Sequence, residues 1–439
     1  MPPKLPSCSD FNSELFSFLA SSPTPFHATQ MLAEMLRVEG GFSELKEADP
    51  WSLKPGGRHF VVRNQSSIVA FQVPEGDVTH TGFRLIGSHT DSPCLRLKPQ
   101  PEIEACGVLQ VGVEVYGGVL LSTWFDRDLS LAGRVSYLDA KGKLRNALLD
   151  FKRAVAILPN LAIHLNREVN ESRSINKQLE LPPLIASLAA LGENRNFRQV
   201  LKDELERQNL DVDKVFDYEL SFYDAQGPAL VGLEQDFIAG ARLDNLLSCF
   251  IGAKALLASL PGKNAAVLVC NDHEEVGSAS TAGAQGTFLK SVLERICRGA
   301  EEFRRSIDRS VLVSTDNAHA IHPNYPEKHD AKHAPRINQG PALKINTNQR
   351  YATTSETAAL FAHLCEATGV PMQRFVARTD MACGSTIGPI TASILGVRTL
   401  DVGVPTFAMH SIRETAGAKD SYWLYQVLSR FYAEESVLA

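Results

Sequence analysis

The 439-residue sequence lacks a membrane span, a secretion signal and a low-complexity linker. A membrane helix needs about 20 mostly apolar residues, and no apolar run approaches that length. The N-terminal segment MPPKLPSCSDFNSELFSFLA lacks the uninterrupted apolar core of a secretion signal. We therefore expect a cytoplasmic protein that does not bind or cross membranes.

Paired cysteines and excess positive charge are also missing. The eight cysteines are dispersed without a C-x-x-C pair, which favours reduced thiols in a reducing compartment. A formal net charge of −6 argues against general nucleic-acid binding, because such proteins need a basic face to neutralise phosphates. No G-x-G-x-x-G follows a strand, so a Rossmann-type nucleotide site is not expected.

The apolar segments that are present predict an α/β fold. Residues 10–40 read as two helices separated by the Pro23-Thr24-Pro25 break, and strand-like runs alternate with helical segments from about residue 236. The strand-like runs are Ser67–Gln72, Phe83–Gly87, Ala265–Cys270, Ser310–Ser314, Ile390–Ser393 and Val397–Val402, and the helical segments include Leu246–Leu260 and Ser355–Ala367. Such alternation favours a sheet covered by helices.

Residues 93–235 differ in character from the segments on either side. They contain β-rich stretches such as Val111–Val115 and Gly133–Leu138, with a glycine turn at Gly117-Gly118. A chain of this length is expected to form two or three domains. We therefore predict one discontinuous domain from residues 1–92 and 236–439, with residues 93–235 inserted as a separate β-rich domain.

Side chains that can bind metal follow four of the predicted strands. They are His89 and Asp91 after the first, Asp272, His273, Glu274 and Glu275 after the second, Asp316 and His319 after the third, and His410 after the fourth. Sites in open α/β sheets form beyond the carboxyl ends of the strands. The sequence therefore predicts that these side chains converge.

Taken singly, each of these residues has a simpler explanation. His89 could be a packed core histidine, although Asp91 two residues later could orient its ring. Asp244 lies where a helix is predicted to begin and could be its N-cap. Glu274 and Glu275 could form a solvated acidic loop, but adjacent acids point in different directions, so that one could bind a metal while the other acts as a base.

Five segments in order resemble the M18 metallopeptidases, the aspartyl aminopeptidase family. They are Gly-Ser-His-Thr-Asp-Ser-Pro (87–93), Leu-Asp-Asn (243–245), Asp-His-Glu-Glu-Val-Gly-Ser (272–278), Ser-Thr-Asp-Asn-Ala-His-Ala-Ile-His-Pro (314–323) and Ala-Met-His-Ser-Ile-Arg-Glu (408–414). The resemblance extends from about residue 12 to 432. It implies a three-layer zinc-exopeptidase-like catalytic domain with an inserted β-rich dimerisation domain.

The resemblance also implies a pair of divalent metal ions. Asp244 would bridge them, His89 and Asp316 would complete one site, and Glu275 and His410 would complete the other. Imidazole and carboxylate ligands without thiolates fit Zn²⁺ best, with Mn²⁺ or Co²⁺ as alternatives.

The implied activity is the release of N-terminal residues, preferentially Asp or Glu, from peptides. Glu274 would be the general base, and Asp91 would orient the imidazole ring of His89. Lys344 would attract the acidic side chain, while Tyr351 and His319 would make further substrate contacts.

His164 lies in the inserted domain, and the family uses the matching histidine to reach into a neighbouring subunit. Substrate contact in trans is the favoured interpretation, and a metal ligand or a packed structural histidine are the alternatives. The resemblance implies a homo-oligomer built from dimers, and family members commonly assemble further into a dodecameric cage.

Two other functions are compatible with the metal residues alone. The same centre could cleave another amide, as in deacylases and other amidohydrolases, but the match at Lys344 and Tyr351 argues against this. A non-catalytic scaffold with a relic metal site would have no need of Glu274.

Overall fold

A computed structural model describes residues 5–191, 196–260, 262 and 264–434. The chain divides into two compact units. The first comprises residues 1–91, 228–409 and 414–439, and the second comprises residues 92–227 and 410–413. None of the helices in the described residues combines enough length with enough hydrophobicity for a membrane crossing.

The described residues form eleven α-helices, numbered in chain order. They are α1 (Cys8–Ala20), α2 (Pro25–Gly40), α3 (Val78–Thr81), α4 (Leu188–Leu191), α5 (Phe197–Arg207), α6 (Leu243–Ala258), α7 (Phe288–Ile296), α8 (Ala300–Asp308), α9 (Ser355–Thr368), α10 (Ile387–Leu395) and α11 (Asp420–Ala433). Short 3-10 helices span Leu121–Trp124, Ile163–Leu165, Glu274–Val276 and Pro326–Lys328.

The same part of the chain forms twenty-one β-strands. They are β1 (Ser43–Glu44), β2 (Arg58–Arg63), β3 (Ser67–Gln72), β4 (Phe83–His89), β5 (Cys94–Ala105), β6 (Val108–Tyr116), β7 (Asp128–Leu138), β8 (Leu144–Asp150), β9 (Ala156–Ile157), β10 (Leu184–Ser187), β11 (Lys214–Asp224), β12 (Ala229–Val231), β13 (Phe237–Gly240), β14 (Ala265–Asn271), β15 (Val311–Thr315), β16 (Ala318–His319), β17 (Ala342–Lys344), β18 (Gln373–Phe375), β19 (Arg398–Gly403), β20 (Pro405–Phe407) and β21 (Glu414–Gly417).

A nine-stranded sheet in the order β1-β2-β3-β14-β4-β15-β19-β17-β18 organises the first unit. Its central strands β14, β4, β15 and β19 run parallel to one another. Every residue of β4, β14 and β15 is buried, as expected for a parallel sheet that helices cover on both faces. Because these strands are parallel, their carboxyl ends lie at the same edge of the sheet.

The two faces of this sheet have separate hydrophobic cores. On β4, Ile86 packs into a core that contains residues of α1, α2, α6, α9 and α11. The neighbouring Leu85 packs into a second core with residues of α7 and α8. Successive residues of a strand point to opposite faces, so this alternation places the sheet between two layers of helices. The predicted three-layer α/β fold is confirmed.

The predicted strand Ile390–Ser393 is wrong, because this segment lies inside helix α10. A short apolar run does not by itself distinguish a strand from a buried helix segment. The local signals favour the helix: the Thr386 side chain accepts a hydrogen bond from the Gly388 N–H, and Gly396 ends the helix with a φ of 75°.

The second unit is β-rich, as predicted. Its seven-stranded sheet has the order β11-β5-β6-β10-β9-β7-β8, and β11 also pairs with β7. That additional pairing closes six strands into a ring and leaves β8 outside it. Helix α5 packs Phe197, Leu201 and Leu205, spaced at intervals of four residues, into the core of this unit.

Candidate metal centre

The carboxyl edge of the central sheet carries the predicted metal-binding residues of the first unit. His89 is the last residue of β4, and Asp316 directly follows β15. Glu274 and Glu275 form the short helix that follows β14. Since β14, β4 and β15 are adjacent parallel strands, the three strand ends bring these side chains together.

The distances around His89 fit a shared cation. His89 Nε2 lies 3.4 Å from Asp244 Oδ1 and 3.5 Å from Asp316 Oδ1. Its distance from Glu274 Oε2 is 4.0 Å. His89, Asp244 and Asp316 offer ligand atoms within 4.8 Å of one another, and so do His89, Glu274 and Glu275. Ligands about 2.0–2.2 Å from a zinc ion are separated by distances of this order.

Asp244 does not occupy the N-cap of α6. The N-cap residue is Arg242, and Asp244 lies in the first turn with a non-helical backbone (φ −83°, ψ 106°). Its N–H donates to Glu414 Oε2 at 2.9 Å, and the next residue, Asn245, donates from Nδ2 to the Thr315 carbonyl at 2.9 Å. These bonds hold the buried Asp244 beside the end of β15.

Asp91 anchors two parts of the centre. His89 Nδ1 lies 3.1 Å from the Asp91 carbonyl oxygen and 3.4 Å from Asp91 Oδ1. The Asp91 carboxylate also accepts the backbone N–H groups of Glu274 and Glu275, each at 3.1 Å. It therefore fixes the backbone of the glutamate pair in addition to facing the imidazole.

Burial and mutual repulsion shift the pKa values in this cluster. Burial lowers the pKa of His89, but the nearby carboxylates of Asp244, Asp316 and Asp91 outweigh it and raise that pKa well above its usual value. Burial, with repulsion from neighbouring carboxylates, raises the pKa of Glu274 to about 7 and that of Glu275 well above its usual value.

A bound divalent cation would reverse these shifts. It favours ionised carboxylates and a neutral imidazole, and so offsets the repulsion. Imidazole and carboxylate oxygens without thiolates form a donor set that suits zinc. The residues present therefore fit a zinc site.

His410 belongs to the second unit, within the short segment 410–413. Its Nδ1 lies 3.0 Å from the Gly118 carbonyl oxygen. A carbonyl partner at Nδ1 favours the tautomer in which Nε2 carries the lone pair, which is the form that binds metals. The role of His410 as a ligand stays a prediction.

The candidate substrate lysine, Lys344, is buried rather than solvated. Lys344 ends β17, and its Nζ donates to Asp316 Oδ2 at 3.4 Å. The same nitrogen lies 5.2 Å from the centroid of the buried Tyr351 ring. His319, by contrast, is exposed, with its ring centroid 5.8 Å from that of Phe375.

The motif analysis missed a second carboxylate that faces Lys344. Asp401 is the register partner of Lys344 across β17 and β19 and is fully buried. It accepts hydrogen bonds from Thr386 Oγ1 and from the N–H of Ala352, both at 2.6 Å. The sequence did contain a signal for this residue, because Asp401 is an acid inside the apolar run Val397–Val402. A charge buried in such a strand needs partners.

His164 lies on the second unit in the short helix Ile163–Leu165 and is exposed. Three large apolar residues around it are exposed as well. Leu161, Ile163 and Leu165 have exposed fractions of 60%, 45% and 73%.

Comparison with known proteins identifies relatives over almost the whole chain. The family model described as aminopeptidase I zinc metalloprotease (M18) matches residues 18–432. A protein of Pseudomonas fluorescens named probable M18 family aminopeptidase 2 is 58% identical over 427 residues, covering 97% of this chain and 99% of its own length.

Solved structures show the same fold. A chain in the cryo-EM structure of the Ape4 and Nbr1 complex has a TM-score of 0.93 at 40% identity, covering 97% of this chain and 86% of that chain. A chain of the S. cerevisiae mApe1 dodecamer has a TM-score of 0.84 at 26% identity, covering 97% of each chain.

The raised pKa of Glu274 predicts a pH dependence of stability in metal-free protein. A carboxyl group whose folded pKa is about 7, against an ordinary value of 4.5, binds more protons in the folded state, so stability falls as the pH rises between those values. Glu274→Gln removes this penalty. We expect metal-free Glu274→Gln to gain stability relative to the unchanged protein between pH 4.5 and 7, by up to about 3 kcal/mol.

Thermal melting of chelator-treated protein at several pH values measures this difference. Glu301→Gln, which changes an exposed glutamate at the start of α8, is the control and should show no comparable gain. A stability difference for Glu274→Gln that is independent of pH would contradict the prediction.

Proposed function

The chain belongs to the M18 family of zinc aminopeptidases, and we propose that it releases acidic N-terminal residues from peptides with a dinuclear centre and a glutamate base. The observation that carries this proposal is the cluster that the half-buried glutamate pair forms with the buried residues His89, Asp244 and Asp316. Membership of this family makes the chain a metalloaminopeptidase, which removes the support for a deacylase or a non-catalytic scaffold.

The proposed ligands divide into two sites. Asp244 would be shared by the two ions, with His89 and Asp316 holding the first ion and Glu275 and His410 holding the second. The short distances from His89 Nε2 to Asp244 and Asp316 support the first site. Three carboxylates against two dications leave a net charge of about +1, which suits a centre that polarises a carbonyl.

Glu274 is the proposed general base. When bound, zinc supplies Lewis acidity, which polarises the scissile carbonyl and lowers the pKa of water. Glu274 accepts the proton of the attacking water and returns it to the leaving amine. Its backbone N–H is held by Asp91, so that the carboxylate is positioned while its neighbour Glu275 serves as a ligand.

Substitution of the two adjacent glutamates separates the base from the ligand. Glu274→Gln is expected to retain two zinc ions per chain while turnover falls by about 10²–10⁴-fold, the usual contribution of a positioned acid–base group. Metal analysis of the purified protein and hydrolysis of an aspartyl substrate measure the two properties.

Glu275→Gln is the matched control, since it removes a proposed ligand one residue away. This variant should bind fewer zinc ions per chain than the unchanged protein. Near-normal turnover in Glu274→Gln, or one zinc ion per chain in the unchanged protein, would refute the assignment.

Lys344 is proposed to select acidic N-terminal residues. Its buried ammonium group lies beside the metal-binding Asp316 and opposite Asp401 in register. Removing water from around a charge strengthens its interaction with an opposite charge. A carboxylate side chain that reaches this region therefore gains more than a neutral one.

Replacement of Lys344 tests this preference. The ratio of kcat/KM for Asp-derived over Leu-derived substrates is expected to fall by about 30-fold or more in Lys344→Ala, because losing one partner of a buried charge pair costs about 2 kcal/mol or more. Lys344→Met preserves more of the buried volume and should give the same loss of preference if its fold is intact. An unchanged ratio in both variants would exclude Lys344 from this role.

A homo-oligomer built from dimers is proposed, with the second unit as the dimerisation domain and His164 contacting substrate in the neighbouring subunit. The exposed apolar residues around His164 support an interface there, since such patches mark interaction sites. The dodecameric yeast relative supports assembly of this kind. A cytoplasmic location remains a prediction.

Mixed oligomers distinguish contact in trans from contact within one chain. His164→Ala and Glu274→Gln are each expected to be weakly active, but mixing their subunits should restore activity. In random dimers about a quarter of full activity returns, because half of the dimers are mixed and each regains one complete site. Subunit exchange followed by a hydrolysis assay measures the recovery, and no recovery would place His164 in its own chain's site or outside catalysis.

A further inference from the structure

A cavity of about 330 Å³ lies within the first unit and is lined by residues between positions 319 and 409. Its volume is that of a small ligand pocket, which ranges from about 300 to 1,000 Å³. Most of the lining is apolar and includes Phe375, Phe407, Met381 and Met409. None of the residues that line it is a carboxylate.

The cavity has an aromatic pair on each of two walls. The His319 and Phe375 rings meet edge-on at 5.8 Å, and the His322 and Phe407 rings meet edge-on at 5.6 Å. Met381 is 46% exposed although it is large and apolar. Flexible methionines and aromatic faces adapt to apolar side chains of different shapes.

A short stretch of backbone connects this cavity to the candidate metal centre. His319 lines it and follows the proposed ligand Asp316 by three residues, a span of at most about 10 Å. His319 also pairs with Thr406 across β16 and β20, and Thr406 lines the same cavity. A peptide held at the centre can therefore extend into it.

The position of Lys344 indicates which residue of a peptide substrate enters the cavity. Lys344 and Tyr351 are not among the lining residues, but the lining residue Phe375 meets the Tyr351 ring edge-on at 6.2 Å. The cavity therefore adjoins the region of Lys344 without containing it. The lining contains two cationic side chains, Lys328 and Arg378, and the guanidinium of Arg378 is engaged by Asp380 at 2.6 Å.

We propose that this cavity binds the side chain of the residue that follows the scissile bond, and that it selects large apolar or aromatic side chains. This inference rests on the proposed function, because it takes the first residue to be directed toward Lys344. It adds a preference at the second position of the peptide, formed by residues outside the metal centre.

Tripeptides that differ only at the second residue test the preference. Zinc-loaded enzyme should hydrolyse Asp-Phe-Gly with a kcat/KM about 10- to 200-fold above that for Asp-Gly-Gly, the discrimination expected of an apolar pocket. Ala382 lines the cavity and is exposed, so Ala382→Trp fills the space without disturbing a core. It should lower kcat/KM for Asp-Phe-Gly toward that for Asp-Gly-Gly, so that the preference between the two substrates is lost.

The control places the same substitution outside the cavity. Ala367→Trp, on the exposed face of α9, should keep the full preference. Product inhibition gives a second measurement: Phe-Gly should inhibit more strongly than Gly-Gly, and Ala382→Trp should abolish that difference.

Equal rates for the two tripeptides in the unchanged enzyme, or an equal loss for both in Ala382→Trp, would overturn the inference. Failure of the proposed function has a different signature, because it would remove the preference for Asp over Leu at the first position. The two preferences are measured on separate substrates and can fail independently.

Discussion

The first unit depends on one electrostatic constraint, the burial of several carboxylates against a single imidazole. Asp244, Asp316 and Glu274 all face His89 from within about 4 Å, in a place that excludes most water. Carboxylates held this close together, with little water around them, repel one another. Burial and this repulsion raise the pKa values of Glu274 and Glu275. A divalent cation relieves this repulsion, which gives a zinc enzyme a physical reason to keep a cluster that weakens the metal-free fold.

The central sheet provides the geometry for this cluster. Parallel strands β14, β4 and β15 end at one edge, and each delivers a ligand candidate within four residues of its end. The backbone N–H groups of Glu274 and Glu275 donate to the Asp91 carboxylate, and the Asn245 side chain donates to the Thr315 carbonyl; these hydrogen bonds hold the strand ends in register. The ligands are thus positioned by strands and by buried hydrogen bonds rather than by mobile loops.

The proposed substrate selection would use the same arrangement. Lys344 ends a strand of the sheet, contacts Asp316 and lies opposite Asp401 in register, so its ammonium group is held beside the candidate metal centre. The cavity beside His319 is lined by other residues, among them Phe375, Phe407, Met381 and Met409. A charged contact and an apolar contact can therefore act on different residues of one peptide.

The α/β class, the β-rich insertion and the strand ends that carry His89, Glu274 and Asp316 could be predicted from the amino-acid pattern alone. Buried parallel strands are continuous apolar runs, and the residues that follow them stand out in the sequence. Three features became visible only in the folded chain: the helical state of residues 387–395, the burial of Lys344 against Asp401, and the grouping of His410 with the second unit. A short apolar run suits either a helix or a strand, and pairings between residues far apart in the chain leave no local pattern, so these features depend on contacts that form only when the chain folds.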